Sequence, residues 1–84
     1  MIDRDIEIFI VKALARYREP MAGDTLRAQI ATAFQHVALT AGDVAERIQA
    51  CEEKNFIAGT NDELLGVVWT VTAKGKIRAQ QIKG

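Results

Sequence analysis

The chain has no serine, one histidine, one cysteine and one proline among its 84 residues. The absence of serine removes the commonest hydroxyl nucleophile of triad hydrolases. One Cys and one His do not make the close pairs that zinc sites commonly use. No Gly-rich phosphate loop follows an expected strand, since Gly75 and Gly84 stand isolated. Cys51 has no internal disulfide partner, and no charged-then-apolar leader opens the chain, so the expected compartment is the reducing cytoplasm. No apolar run approaches the roughly 20 residues that span a bilayer. There is also no excess charge of either sign. Eleven basic and eleven acidic residues cancel, so any nucleic-acid binding has to come from local charge. These absences leave a non-enzymatic protein, without cofactor or metal, as the expectation.

What is present reads as one small domain over residues 1–84, with 49% hydrophobic and 26% charged residues. A chain this short buries only roughly 60–65% of its unfolded surface, so pairing with a second copy would help it. Ile6, Phe9, Ile10, Ala13, Leu14 and Tyr17 recur at helical spacing, with Asp3 as cap, Asp5 and Glu7 near the positive end of the dipole, and Pro20 ending the helix by about Glu19. After the turn PMAGD, Leu26, Ile30, Ala33, Phe34 and Val37 repeat the spacing, with Asp24 or Thr25 as cap.

The third helix has the fullest set of local signals. Thr40 and Asp43 stand at capping-box spacing, Leu39 and Val44 at staple spacing, and Asn55 suits a left-handed end after Lys54. Phe56-Ile57-Ala58, the turn residues GTNDE and LLGVVWTV then read as a hairpin, with Gly66 marking a bulge or close approach. Thr72 is the expected cap of a last short helix whose large apolar residues are Ile77 and Ile82. The class is therefore α+β, mainly helical.

Two stretches, LTAGDVAERIQACEEKNFI and VVWTVTAKGK, resemble the third helix and second wing strand of winged helix-turn-helix domains such as MarR, PadR and ArsR regulators. The compact length and the ending WTVTAKGKIRA are also similar to small winged-helix proteins of transposable prophages. The resemblance implies three helices, a two-stranded wing and a short C-terminal helix, with the third helix entering the major groove of duplex DNA. It makes Gly42, Glu46, Gln49, Ala50 and Glu53 the base-facing residues. Helical geometry reaches the same face, because Val44, Ile48 and Cys51 share the opposite side. On this DNA-binding, transcription-associated reading, Thr40 touches phosphate, Gln49 reads adenine, and Arg27, Arg47, Lys74 and Lys76 are the positioning cations.

The charge along the chain supports a second reading. From Asp43 to Glu63 six acidic residues face Arg47 and Lys54, a net of minus four, whereas Lys74, Lys76, Arg78 and Lys83 give the last 21 residues a net of plus four. A carboxylate-rich third helix and an Asp62-Glu63 hairpin tip repel phosphates. The alternative is therefore a protein-interaction module using Glu46, Gln49 and Glu53, with a homodimer through the basic segment as one form. Cys51 is expected as a buried small hydrophobe, His36 as a structural or capping residue at a helix end, Tyr17 as core edge, and Trp69 as packing for the hairpin.

Overall fold

A computed structural model describes residues 2–17 and 19–81. Its elements are α1 (Ile2–Arg16), β1 (Met21–Ala22), α2 (Gly23–Ala33), α3 (Ala41–Glu53), β2 (Ile57–Asp62), β3 (Gly66–Val71) and α4 (Ala73–Gln81). The fold is mixed α+β and mainly helical, with one antiparallel sheet in the order β1-β3-β2.

α1 forms as its periodicity predicts, and Ile6, Ile10 and Leu14 are fully buried. Val11, beside that stripe, is buried as well, whereas Tyr17 is 48% exposed and lies outside the core. The helix stops at Arg16 rather than near Glu19. The reason is tertiary: Met21 and Ala22 pair with Trp69 and Val68, so the chain has to leave the helix early enough to extend into β1. A two-residue strand has no alternation to read, which is why PMAGD looked like a turn.

α2 starts two or three residues earlier than caps at Asp24 or Thr25 would set. Its N-cap is Ala22, with no side-chain bond, and Asp24 in the first turn pairs with Arg27 instead. It ends at Ala33, so Phe34 packs on the core from the C-cap, edge-on to Phe9 at 5.7 Å, and Val37 lies half-buried just beyond.

α3 matches its signals closely. Thr40 Oγ1 accepts from the Asp43 N–H and Asp43 Oδ2 accepts from the Thr40 N–H, both at 3.0 Å, completing the box. Asn55 takes the left-handed conformation at φ 65°. Val44, Ile48 and Cys51 are buried against the side chains of α1 and α2, and with Met21, Leu26, Ile30 and Ile57 they complete one core. Thr40→Ala is expected to cost about 1 kcal/mol, the usual value of such a cap, seen as a fall of roughly 4–8 °C in melting temperature. The Thr40 N–H, then its hydroxyl, hold the Asp43 carboxyl below its ordinary 3.8. A lowered carboxyl stabilises the fold above 3.8 and loses that contribution as pH falls through the lower folded value. Asp43→Asn is accordingly expected to flatten the acid limb of stability below pH 3.8; an unchanged limb would contradict the box.

The hairpin forms, with its turn displaced. GTND belongs to β2, where Gly59 lies opposite Trp69, and the tip is Glu63-Leu64-Leu65. Asp62 Oδ1 accepts from the Leu64 and Leu65 N–H groups at 2.9 and 3.0 Å, and Gly66 closes the turn at φ 77°. Those two bonds organise the turn and hold the Asp62 carboxyl below its ordinary value. Trp69 packs against the core as expected. Thr72 caps α4, accepting from the Gly75 N–H at 3.0 Å, and α4 packs against α1. Ile77 is 58% exposed, and Ile82 lies outside the described residues.

Candidate interaction surfaces

The face of α3 that meets α1 carries more than apolar residues. Glu7, with a side chain only 14% exposed, accepts from Arg47 Nη1 at 2.9 Å and also from Lys54 Nζ. Its backbone carbonyl accepts from Cys51 Sγ at 3.8 Å. Arg47, Cys51 and the C-cap Lys54 follow one another about a turn apart along one edge of α3, so the Glu7 carboxylate ties down roughly the last two turns and its carbonyl meets the thiol between them. Nothing in the sequence marks Glu7 for this, since its partners lie 40 and 47 residues away. In the sequence it reads as a first-turn dipole residue.

The clamp decides the charge of the opposite face. Arg47 is drawn inward and its side chain is 24% exposed, so it is not the open positioning cation that the DNA reading requires. The exposed residues of α3 are then Ala41, Gly42, Asp43, Ala45, Glu46, Gln49, Glu52 and Glu53, while Ala50 is half-buried rather than outward. Four carboxylates on this surface face solvent without an Arg or Lys from α3 among them. The hairpin tip adds exposed Asp62 and Glu63, with Leu64 93% and Leu65 60% exposed beside them.

The six residues expected at DNA are spread over the α2–α3 corner, the length of α3 and the start of α4. Arg27 and Thr40 line the same hollow at the α2–α3 corner, where Arg27 is paired with Asp24. Gln49 is exposed halfway along α3. Lys74 lies over the Phe56 ring, its Nζ 5.4 Å from the centroid, just past the carboxyl end of α3, and Lys76 is exposed on the first turn of α4. Thr40 and Lys54 mark opposite ends of α3, roughly 20 Å apart at 1.5 Å per residue. The corner pair and the α4 lysines are therefore separated by the length of the helix.

Cys51 is fully buried, and burial first, then the Glu7 charge, pushes its thiol up to about 12. It packs as a small hydrophobe, as its position on the inner face predicts. His36 is exposed in the turn after α2 and stacks on Phe34. Among the described residues no cluster of His, Cys, Asp or Glu is placed to hold a metal ion, and no helix is long and apolar enough to cross a membrane. No protein-family model, curated protein or solved structure matches the chain.

Proposed function

We propose that the chain is a winged helix-turn-helix domain that works without a catalytic step and binds a basic surface of another protein through the outer face of α3. The element order and the sheet order β1-β3-β2 support the scaffold. The observation that carries the function is the Glu7 clamp. It withdraws Arg47 and leaves Asp43, Glu46, Glu52 and Glu53, with Gln49, as the exposed chemistry of the helix that would otherwise meet a groove. Nucleic-acid affinity rests mainly on Lys and Arg neutralising phosphates, and a carboxylate there is useful only singly, against cytosine. A basic protein surface is the partner to which four carboxylates are complementary.

The test is a titration of isotope-labelled protein with a lysine-rich amphipathic helical peptide, followed residue by residue by NMR. Shifts centred on Glu46, Gln49 and Glu53, lost in the Glu46→Lys, Glu53→Lys double variant, are the expected result. No shifts on α3, or shifts that survive charge reversal, would overturn the reading.

Duplex DNA is the second reading. Its support is the α2–α3 corner, where Thr40 and Arg27 line one hollow at the amino end of α3, with Gln49 exposed further along that helix. A helix amino end favours phosphate, and Gln can pair with adenine.

A further inference from the structure

A groove that the α3 reading does not use lies between α1, the α3–β2 junction and α4. It has a volume of about 450 Å³ and is lined by Asp3, Arg4, Glu7, Ile8 and Val11 of α1, by Lys54 and Phe56, and by Arg78 of α4. Lys74 extends the basic rim over Phe56, and a neighbouring hollow between Phe56 and α4 is lined by Ile77 and Arg78. Glu7 is already occupied by Arg47 and Lys54. Arg4, Lys74 and Arg78 form no ion pair among the described residues, so the rim sets three cations against the one unpaired carboxylate of Asp3 and is net positive over an apolar floor. The volume falls inside the range of about 300–1,000 Å³ typical of sites for small ligands and side chains.

The hairpin tip has the complementary chemistry. Leu64, Leu65 and Val67 are 93%, 60% and 42% exposed, and the Asp62 carboxylate fixes the backbone that presents the two leucines. Asp62 and Glu63 flank them with negative charge. Three large apolar residues exposed within four positions are a patch rather than ordinary scatter. The tip cannot reach its own groove, because the six residues of β2 carry it roughly 20 Å from Phe56.

We propose that the chain self-associates by seating the Leu64-Leu65 tip of one copy in the Phe56 groove of a second, with Asp62 and Glu63 against Arg4 and Lys74. The contact joins two different surfaces, so it makes a reciprocal pair where the geometry closes and an open chain where it does not. It is small, so its dissociation constant lies at roughly micromolar or weaker. It is independent of the α3 face, whose carboxylates take no part.

The test uses the full chain in sedimentation velocity with two variants. Leu64→Ser with Leu65→Ser removes the tip, and Arg4→Glu with Lys74→Glu reverses the rim; all four positions are exposed, and circular dichroism confirms that each variant folds. The expected result is concentration-dependent association of the natural chain, each variant alone remaining monomeric, and a one-to-one mixture of the two forming a dimer of twice the monomer mass. In that mixture one intact tip meets one intact groove, which a tip-to-tip or groove-to-groove contact would not allow. A natural chain that stays monomeric at high concentration, variants that associate as it does, or a mixture that stays monomeric would each overturn the proposal.

Discussion

Replacing Gly75 by alanine is expected to lower the melting temperature by roughly 12–24 °C, which corresponds to about 3 kcal/mol in a domain of this size. The direction is opposite to the usual one. Gly to Ala within a helix ordinarily gains about 1 kcal/mol from propensity. Gly75 is buried in the first turn of α4, and a Cβ there would lie 2.0 Å from the Phe56 carbonyl oxygen and 2.7 Å from Val71 Cγ2. The nearer atom is backbone, and it already accepts from the Thr72 N–H at 3.0 Å, so it cannot swing aside as a side chain would. Either α4 moves off the strand or the Phe56 turn opens, and both disturb the groove floor. Gly42→Ala is the control. That glycine is exposed and its Cβ would meet only Thr40 Oγ1, at 3.6 Å, so no loss is expected. Thermal unfolding of the two variants side by side checks the prediction, and a Gly75→Ala protein as stable as the natural one would show that the approach of α4 to Phe56 is wrong.

Glu7→Ala is expected to cost about 2–3 kcal/mol. Breaking a fully buried ion pair by removing one partner costs about 3–5 kcal/mol, because the other charge is left buried and unpaired. Here the value is discounted, since the Arg47 and Lys54 side chains keep 24% and 54% exposure and both can turn to water. The Glu7→Met, Arg47→Met double variant is expected to recover part of the loss, because the only charge then left without its partner is Lys54, which at 54% exposure can turn to water. Chemical denaturation of Glu7→Met, Arg47→Met and the double variant completes the cycle. Coupling near zero between residues 7 and 47 would mean that Arg47 is not held inward, and the acidic character assigned to the outer face of α3 would go with it.

How much of this was legible depends on how local each signal is. The start and end of α3 were readable because Thr40, Asp43 and Asn55 act on neighbours within four residues, and its inner face because Val44, Ile48 and Cys51 keep helical spacing. β1 was not, since two residues take strand geometry only because Trp69 and Val68 lie alongside. The hairpin turn was misplaced for a related reason. GTNDE has turn composition, but pairing with β3 draws Gly59 to Asp62 into the ladder, so the leucines expected in the strand occupy the tip. The acidic outer face of α3 was visible in sequence. The fact that gives it weight, Arg47 turned toward Glu7, was not, because it needs α1 and α3 side by side. The groove has the same origin, since its residues come from α1, from the α3–β2 junction and from α4.

The measurement that tests the central claim most directly is fluorescence anisotropy of a labelled mixed-sequence duplex titrated with the natural protein at about 50 mM and then about 200 mM salt. Proteins with several phosphate contacts bind non-specifically at roughly 10⁻⁴–10⁻⁶ M and lose orders of magnitude over that salt range. With Arg47 clamped and four carboxylates outward on α3, no binding is predicted at tens of micromolar protein at either salt concentration, a level well inside that range. Binding at the lower salt that collapses at the higher would contradict the account and make duplex DNA the partner.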